Sequence, residues 1–270
     1  QLKIMAVRGK SFPFTDGLAN QIKSVSGVSI LTEVIEDYVY VRYRQPDALP
    51  NDDEFEQHYQ APKGEAEMVV TMKGVSQNFI DHHRLDDYIV SGDLNLNKNG
   101  MPGAIIGKGI RNTLSISTDN DFVPLKLYYV KNQKGTSLNP ASMYSQQMVL
   151  PVGIFSIEKN YDENFIFVPL EVARELMNYG NKRTALEIKL DEDAQESKVQ
   201  AQLKEILGSE FLVLNNDEQH QDLYKILKME KFFMAMSLTL LIAVSSINIF
   251  FSLMMLVIDK KKDISILSSL

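Results

Sequence analysis

The 270-residue chain contains no cysteine. Thiol catalysis, disulfides and thiolate metal sites are therefore excluded, and the redox compartment is left open. Positive charge is also scarce: 28 Lys and Arg stand against 35 Asp and Glu, a formal charge of -7. No basic stripe with interleaved aromatics occurs, so nucleic acid is not an expected partner. The opening QLKIMAVRGKSF has neither a basic n-region nor an apolar core. It does not read as a signal peptide, and the chain is expected to be an excised fragment.

Catalytic signatures are missing in the same way. There is no Gly-x-Ser-x-Gly elbow and no His-Glu-x-x-His helix. GKGIRN, residues 107 to 112, lacks the third glycine of a dinucleotide fingerprint and the Gly-Lys-Ser/Thr end of a phosphate loop. His82 and His83 are adjacent, so regular backbone points them apart; with Asp81 and Asp86 they form a metal candidate weaker than a solvated turn. The pairs Asp52/Asp53 and Asp86/Asp87 sit in polar runs where exposure is expected. No catalytic residue, metal or cofactor is expected.

What the chain does have is one long apolar run. From Phe232 to Ile258 no residue is charged. At about 1.5 Å per residue, a helix of that length exceeds the roughly 30 Å hydrocarbon core of a bilayer. The run predicts one membrane span, and the cluster Lys260, Lys261 and Lys262 that follows favours a cytoplasmic C-terminus, although Lys225, Lys228 and Lys231 weaken the asymmetry. Ser245, Asn248 and Ser252, at i, i+3 and i+7, fall on one helical face. Interhelical hydrogen bonding and close packing are the simplest use of such a face, ahead of a substrate path.

Ahead of the span the pattern is mixed α and β. LKIMAVRG reads as a strand, Asp16 to Val25 as a short helix, and GVSILTEVI and DYVYVRYR as two strands bounded by turn residues. Residues 45 to 65, with three prolines and six acidic side chains, read as a solvated loop. AEMVVTMKGV is a strand, PGAIIGKGIRNTLSI a turn, short helix and strand start, and FVPLKLYYV a further strand. QQMVLPVGIFSI and NFIFVPL are strands of what reads as an inserted unit, and LEVARELMNYG is an amphipathic helix ending at Gly180. TALEIKL, a helix from Ala194 to Leu207, EFLVLNN and a helix from near Asp217 make a β-α-β-α series, and the last helix enters the apolar run without Gly or Pro.

The stretch KMEKFFMAMSLTLLIAVSSINIFFSLMMLVIDKKKDISIL, Lys228 to Leu267, resembles the permeases of lipoprotein-releasing ABC transporters (LolC/LolE type) where they enter the second span and cross to the cytoplasm. The residues that carry the likeness are Met229, Glu230, Lys231, Asn248, Ile249, Asp263, Ile264, Ile266 and Leu267. PGAIIGKGIRNTLSIS and GIFSIEKNYDENFIFVPLEVARELM are similar to two further segments of that family, so the likeness covers most of residues 66 to 270. A Gly-Ala pair of the family would follow Leu270, which implies truncation inside a coupling helix.

The resemblance implies an α+β fold: a periplasmic core domain, residues 1–230, with a porter-like α/β part (about 1–130 and 182–230) and an inserted β-rich, sabre-like part (about 131–181). A stalk and transmembrane helix (231–258) and the start of a cytoplasmic coupling helix (259–270) would follow. It also implies an inner-membrane location, a separate ABC ATPase subunit, a second permease copy or homologue and a periplasmic lipoprotein carrier. Lys260, Lys261, Lys262, Asp263, Ile264, Ile266 and Leu267 would face the ATPase. The loop from residue 132 to 147 would be a hook for the carrier, with Leu138, Pro140, Met143 and Tyr144 in contact. A MacB-type efflux or FtsX-like permease is the alternative within this superfamily, and a single-span sensor or scaffold the alternative outside it.

Overall fold

The computed structural model describes residues 1–44, 65–116, 123–131, 143–219 and 221–267. They divide into two units, Gln1–Asn216 and Asp217–Leu270. In chain order the first unit holds β1 (Leu2–Ala6), β2 (Phe12–Pro13), α1 (Asp16–Lys23), β3 (Val28–Arg44), β4 (Glu65–Val75), β5 (Ile89–Gly92), β6 (Asn97–Lys98), β7 (Met101–Gly107), α2 (Lys108–Leu114), β8 (Leu125–Val130), β9 (Tyr144–Phe155), α3 (Lys159–Asn164), β10 (Phe165–Pro169), α4 (Leu170–Met177), β11 (Lys182–Arg183), β12 (Ala185–Leu190), α5 (Glu196–Leu207) and β13 (Phe211–Leu214). Helices α6 (Asn216–Gln219) and α7 (Gln221–Leu267) follow. The class is α+β, as expected.

Local chemistry sets the element ends. Thr15 caps α1, its hydroxyl accepting the Leu18 amide at 3.3 Å and so satisfying a donor the first helical turn leaves open. At the end of α4 the left-handed cap is Asn178, φ 53°, where the sequence pointed to Gly180. Asparagine tolerates that region, and the Tyr179 amide closes the turn onto the Arg174 carbonyl at 3.0 Å. PGAIIG lies in β7 rather than in a turn, the helix that follows is KGIRNTL, and Ser115 and Ile116 directly after it are not in a strand.

The expected break between GVSILTEVI and DYVYVRYR does not exist, because β3 is one strand of 17 residues. Glu36 and Asp37, which suggested a turn, are held in the extended chain by partners. Lys3 Nζ lies 3.6 Å from Glu36, and Asp37 accepts from Lys10 Nζ at 2.5 Å and from the Tyr129 hydroxyl at 3.0 Å. A carboxylate inside a strand is tolerable when it is paired in this way.

Eleven strands form one sheet among the described residues, and β2 pairs with β11 in a separate small one. Pairings β3–β4, β4–β10, β10–β7, β7–β9, β9–β8 and β8–β3 close a six-stranded ring. Strands β9 and β10, from the segment read as an insertion, are part of that ring. Helices α2 and α4 add Ile110, Leu114, Leu176 and Met177 to its core, alongside Val39, Val41, Tyr43, Met72, Ile106, Leu127 and Val149. A second cluster joins β1, α1, β12, α5 and β13 through Leu2, Ile4, Ile22, Ile188, Leu203 and Val213. A third lies around Val34, Phe79, Phe155 and Phe167, where the Phe79 and Phe167 rings stack at 5.1 Å.

Candidate functional site

Helix α7 runs through 47 residues without a break, since neither Gly nor Pro interrupts Gln221–Leu267. Its stretch Lys228–Lys261, 34 residues with mean hydropathy 2.4, is long and apolar enough to cross a membrane. At about 1.5 Å per residue it is roughly 50 Å long, more than the hydrocarbon core requires. None of its most apolar window is buried within the chain, so its side chains need lipid or other protein. Two hydroxyls inside the run are already satisfied by the backbone one turn back: Thr239 donates to the Ala235 carbonyl and Ser246 to that of Ile242, both at 2.8 Å. Sequence reading had not distinguished these residues from the others.

Ser245, Asn248 and Ser252 lie exposed on one line along α7. Lys260, Lys261, Lys262, Asp263, Ile264, Ile266 and Leu267 continue the same helix, with Ile264 65% exposed. The side chains of Lys262, Asp263, Ile266 and Leu267 lie outside what the structure describes.

Of the hook residues, Leu138 and Pro140 fall in 132–142, outside the described residues. Met143 and Tyr144 are 53% and 42% exposed where β9 begins. Tyr144 packs edge-on to Tyr128 at 5.7 Å, and Tyr128 to Tyr40 at 6.2 Å, with the Arg42 guanidinium 5.6 Å from the centre of the Tyr128 ring. These rings make a ladder across β9, β8 and β3 on the outside of the ring of strands. Sequence reading found only Tyr144. The alternation in YVYVRYR and LKLYYV carried the signal for the others, because every second residue there faces outward.

The weaker sequence candidates resolve into packing. Gly107 and Gly109 face the backbone of α3, where added Cβ atoms would come within 2.2 Å of the Asp162 carbonyl oxygen and 2.6 Å of Glu163 Cγ. That Gly-x-Gly serves close chain approach and leaves no space to cradle a phosphate. His83 is exposed, with Nδ1 2.7 Å from Asp86. His82 departs from the expected solvated turn: it is buried, with Nε2 2.6 Å from the Thr32 hydroxyl. Burial, and then the nearby Arg84, lower its pKa to about 4. Among the described residues no group of three or more His, Asp or Glu is placed to hold a metal ion.

Ion pairs dominate the interior polar chemistry. Glu187, 4% exposed in its side chain, lies 2.5 Å from Lys73 Nζ and 3.9 Å from Arg84. Burial alone would raise its pKa, but Lys73, Lys3 and Arg84 together hold it below the usual carboxylate value. Arg183, also buried, donates to Glu33 at 2.6 Å.

Comparison with known proteins follows the same direction. No family model matches the chain. It is 30% identical over 193 residues to the lipoprotein-releasing system transmembrane protein LolC of Buchnera aphidicola subsp. Schizaphis graminum, covering 71% of this chain and 46% of that protein. It is 27% identical over 210 residues to LolC of Xylella fastidiosa strain 9a5c, covering 77% of this chain and 49% of that one. The chain thus spans less than half the length of the curated relatives it matches. Among solved structures, the extracellular domain of the ABC-type transporter YknZ from Gram-positive bacteria aligns with TM-score 0.49 at 13% identity, covering 79% of this chain and 99% of that one. The periplasmic region of MacB from Actinobacillus actinomycetemcomitans also gives 0.49, at 11% identity, over 83% and 92%. Over the region it shares with them, the chain is a relative of the LolC-type transmembrane proteins of lipoprotein-releasing systems, and the resemblance read in its residues is borne out.

Proposed function

We propose that the chain is part of an ABC-transporter permease that extracts lipoproteins from the inner membrane and passes them to a periplasmic carrier. A separate ATPase subunit hydrolyses ATP, and α7 carries its movement across the membrane to the α+β unit on the periplasmic side. A second permease copy or homologue completes the membrane part and meets the face of Ser245, Asn248 and Ser252. The segment from Lys260 to Leu267 approaches the ATPase, with Ile264 as an exposed apolar contact. The carrier docks at the segment 132 to 147, through Met143 and Tyr144 among the described residues. Within residues 1–230, the part around 131–181 serves as the sabre-like element and the remainder as the porter-like one.

The observation that carries this reading is the sequence likeness to LolC proteins. An unbroken helix from Gln221 to Leu267 supports its mechanical side, because a stiff rod moves at both ends together. Depletion of the full-length protein in cells, followed by membrane fractionation, tests it. Acylated lipoproteins should accumulate in the inner membrane. If their distribution stayed normal while efflux of small amphipathic compounds fell, the MacB-type reading would replace this one.

A further inference from the structure

Strand β3 carries acidic residues at 33, 36 and 37, and each meets a cation from another element. On the helix-bearing face, Leu31 belongs to the core of the terminal body made of β1, α1, β12, α5 and β13, while Ile35 belongs to the core of the ring. Glu33, between them on that face, is bound by Arg183 at 2.6 Å, and two residues beyond Ile35, Asp37 is bound by Lys10 at 2.5 Å. On the opposite face Lys3 of β1 lies 3.6 Å from Glu36, and Lys73 of β4 lies 2.5 Å from Glu187 of β12. Arg84 adds a second cation 3.9 Å from Glu187. On the helix-bearing face the Arg183–Glu33 pair lies between the two cores, while on the opposite face the polar pairs lie beside the third cluster, which includes Ala185 of β12 together with Val34, Ile105 and Phe167. A cavity of about 280 Å³ lined by Lys3, Met5, Lys10, Glu36, Thr184 and Ala185 lies beside these pairs.

Buried ion pairs hold elements in one arrangement without adding much net stability, because desolvation offsets most of their attraction. Apolar residues at the same positions would join the cores into one. We infer that these pairs form a catch at which the terminal body opens from the ring as a unit while the ring stays folded. The body includes β13, the strand that continues in sequence to α6 and α7, so displacement of that strand would load the catch.

Hydrogen exchange on the full-length protein in lipid nanodiscs tests the inference. Glu187→Gln leaves Lys73 without its carboxylate, and amides of β1, β12 and β13 should exchange about tenfold or more faster while those of β7, β8 and β9 keep their rates. Glu187→Gln combined with Lys73→Met removes the nearer cation as well, leaving Arg84, and should return exchange part of the way to that of the parent. If Glu187→Gln does not fold, Lys10→Met, at the more exposed end of the catch, should give the same regional pattern. Equal acceleration in the body and the ring, no acceleration in either, or a double variant as fast as Glu187→Gln alone would overturn the inference.

Discussion

Tyr43 is fully buried in the ring core, and its hydroxyl has no hydrogen-bond partner among the described residues. An unsatisfied buried hydroxyl costs about 1–3 kcal/mol, so Tyr43→Phe is expected to raise stability by about 1 kcal/mol. Urea unfolding checks this: the midpoint should rise at unchanged slope, and a lower midpoint would reveal a partner for the hydroxyl. His82 fixes a pH dependence. Its folded pKa of about 4 lies below the ordinary 6.5, chiefly because burial disfavours the imidazolium. At pH 7 the folded state is neutral at this residue and the unfolded state mostly so. Between pH 6.5 and 4 the unfolded chain takes up the proton first, so stability falls with pH by up to ~3 kcal/mol. The midpoint should drop between pH 7 and pH 5 in the parent and much less in His82→Asn. Glu187 has the same sign in a lower window: its pKa lies below 4.5, its stabilisation is complete above 4.5, and it is lost as pH falls through the folded value.

Between elements, α4 packs closely on β4 in the ring core. A Cβ on Gly74 would come within 2.2 Å of the Ala173 Cβ, and Ala173 is fully buried. Gly74→Ala is expected to cost about 1–3 kcal/mol by overpacking. Ala173→Gly in the same chain should recover part of the loss, since it reopens the space; a midpoint that did not recover would mean the clash is relieved elsewhere. The sequence made individual elements legible where periodicity was clean, as in the apolar run of α7 and in the strands of TALEIKL and NFIFVPL. It hid how they join. The ring closes through β8 on β3 and through parallel β10 on β4, which are contacts between residues far apart in sequence that no local pattern records. Glu36 and Asp37 were misread for the same reason, because their cations arrive from the segment of Lys3 and Lys10. The placement of the candidate residues was legible in part: the shared face of Ser245, Asn248 and Ser252 on α7 and the exposure of Tyr144 could be read along the chain, whereas the ladder through Tyr128 and Tyr40 depends on pairing.

At the scale of the whole molecule, a compact α+β unit is followed by a helix whose apolar surface is left uncovered by its own chain. That surface needs lipid or other protein to cover it, and relationship to LolC proteins gives the assembly a cargo to propose. The proposed coupling contact can be tested apart from folding at Ile264, which is exposed on α7. Ile264→Asp in the full-length protein is expected to lower ATP-driven release severalfold while the urea midpoint of the α+β unit stays unchanged; release at the parental rate would remove this residue from the coupling contact. The central claim itself is tested most directly by reconstituting the full-length permease with its ATPase and permease partners in proteoliposomes loaded with an acylated lipoprotein. The account predicts that lipoprotein appears in the soluble fraction only when ATP and the periplasmic carrier are both present. ATP hydrolysis that proceeds while the lipoprotein stays in the bilayer, with carrier in excess, would contradict it.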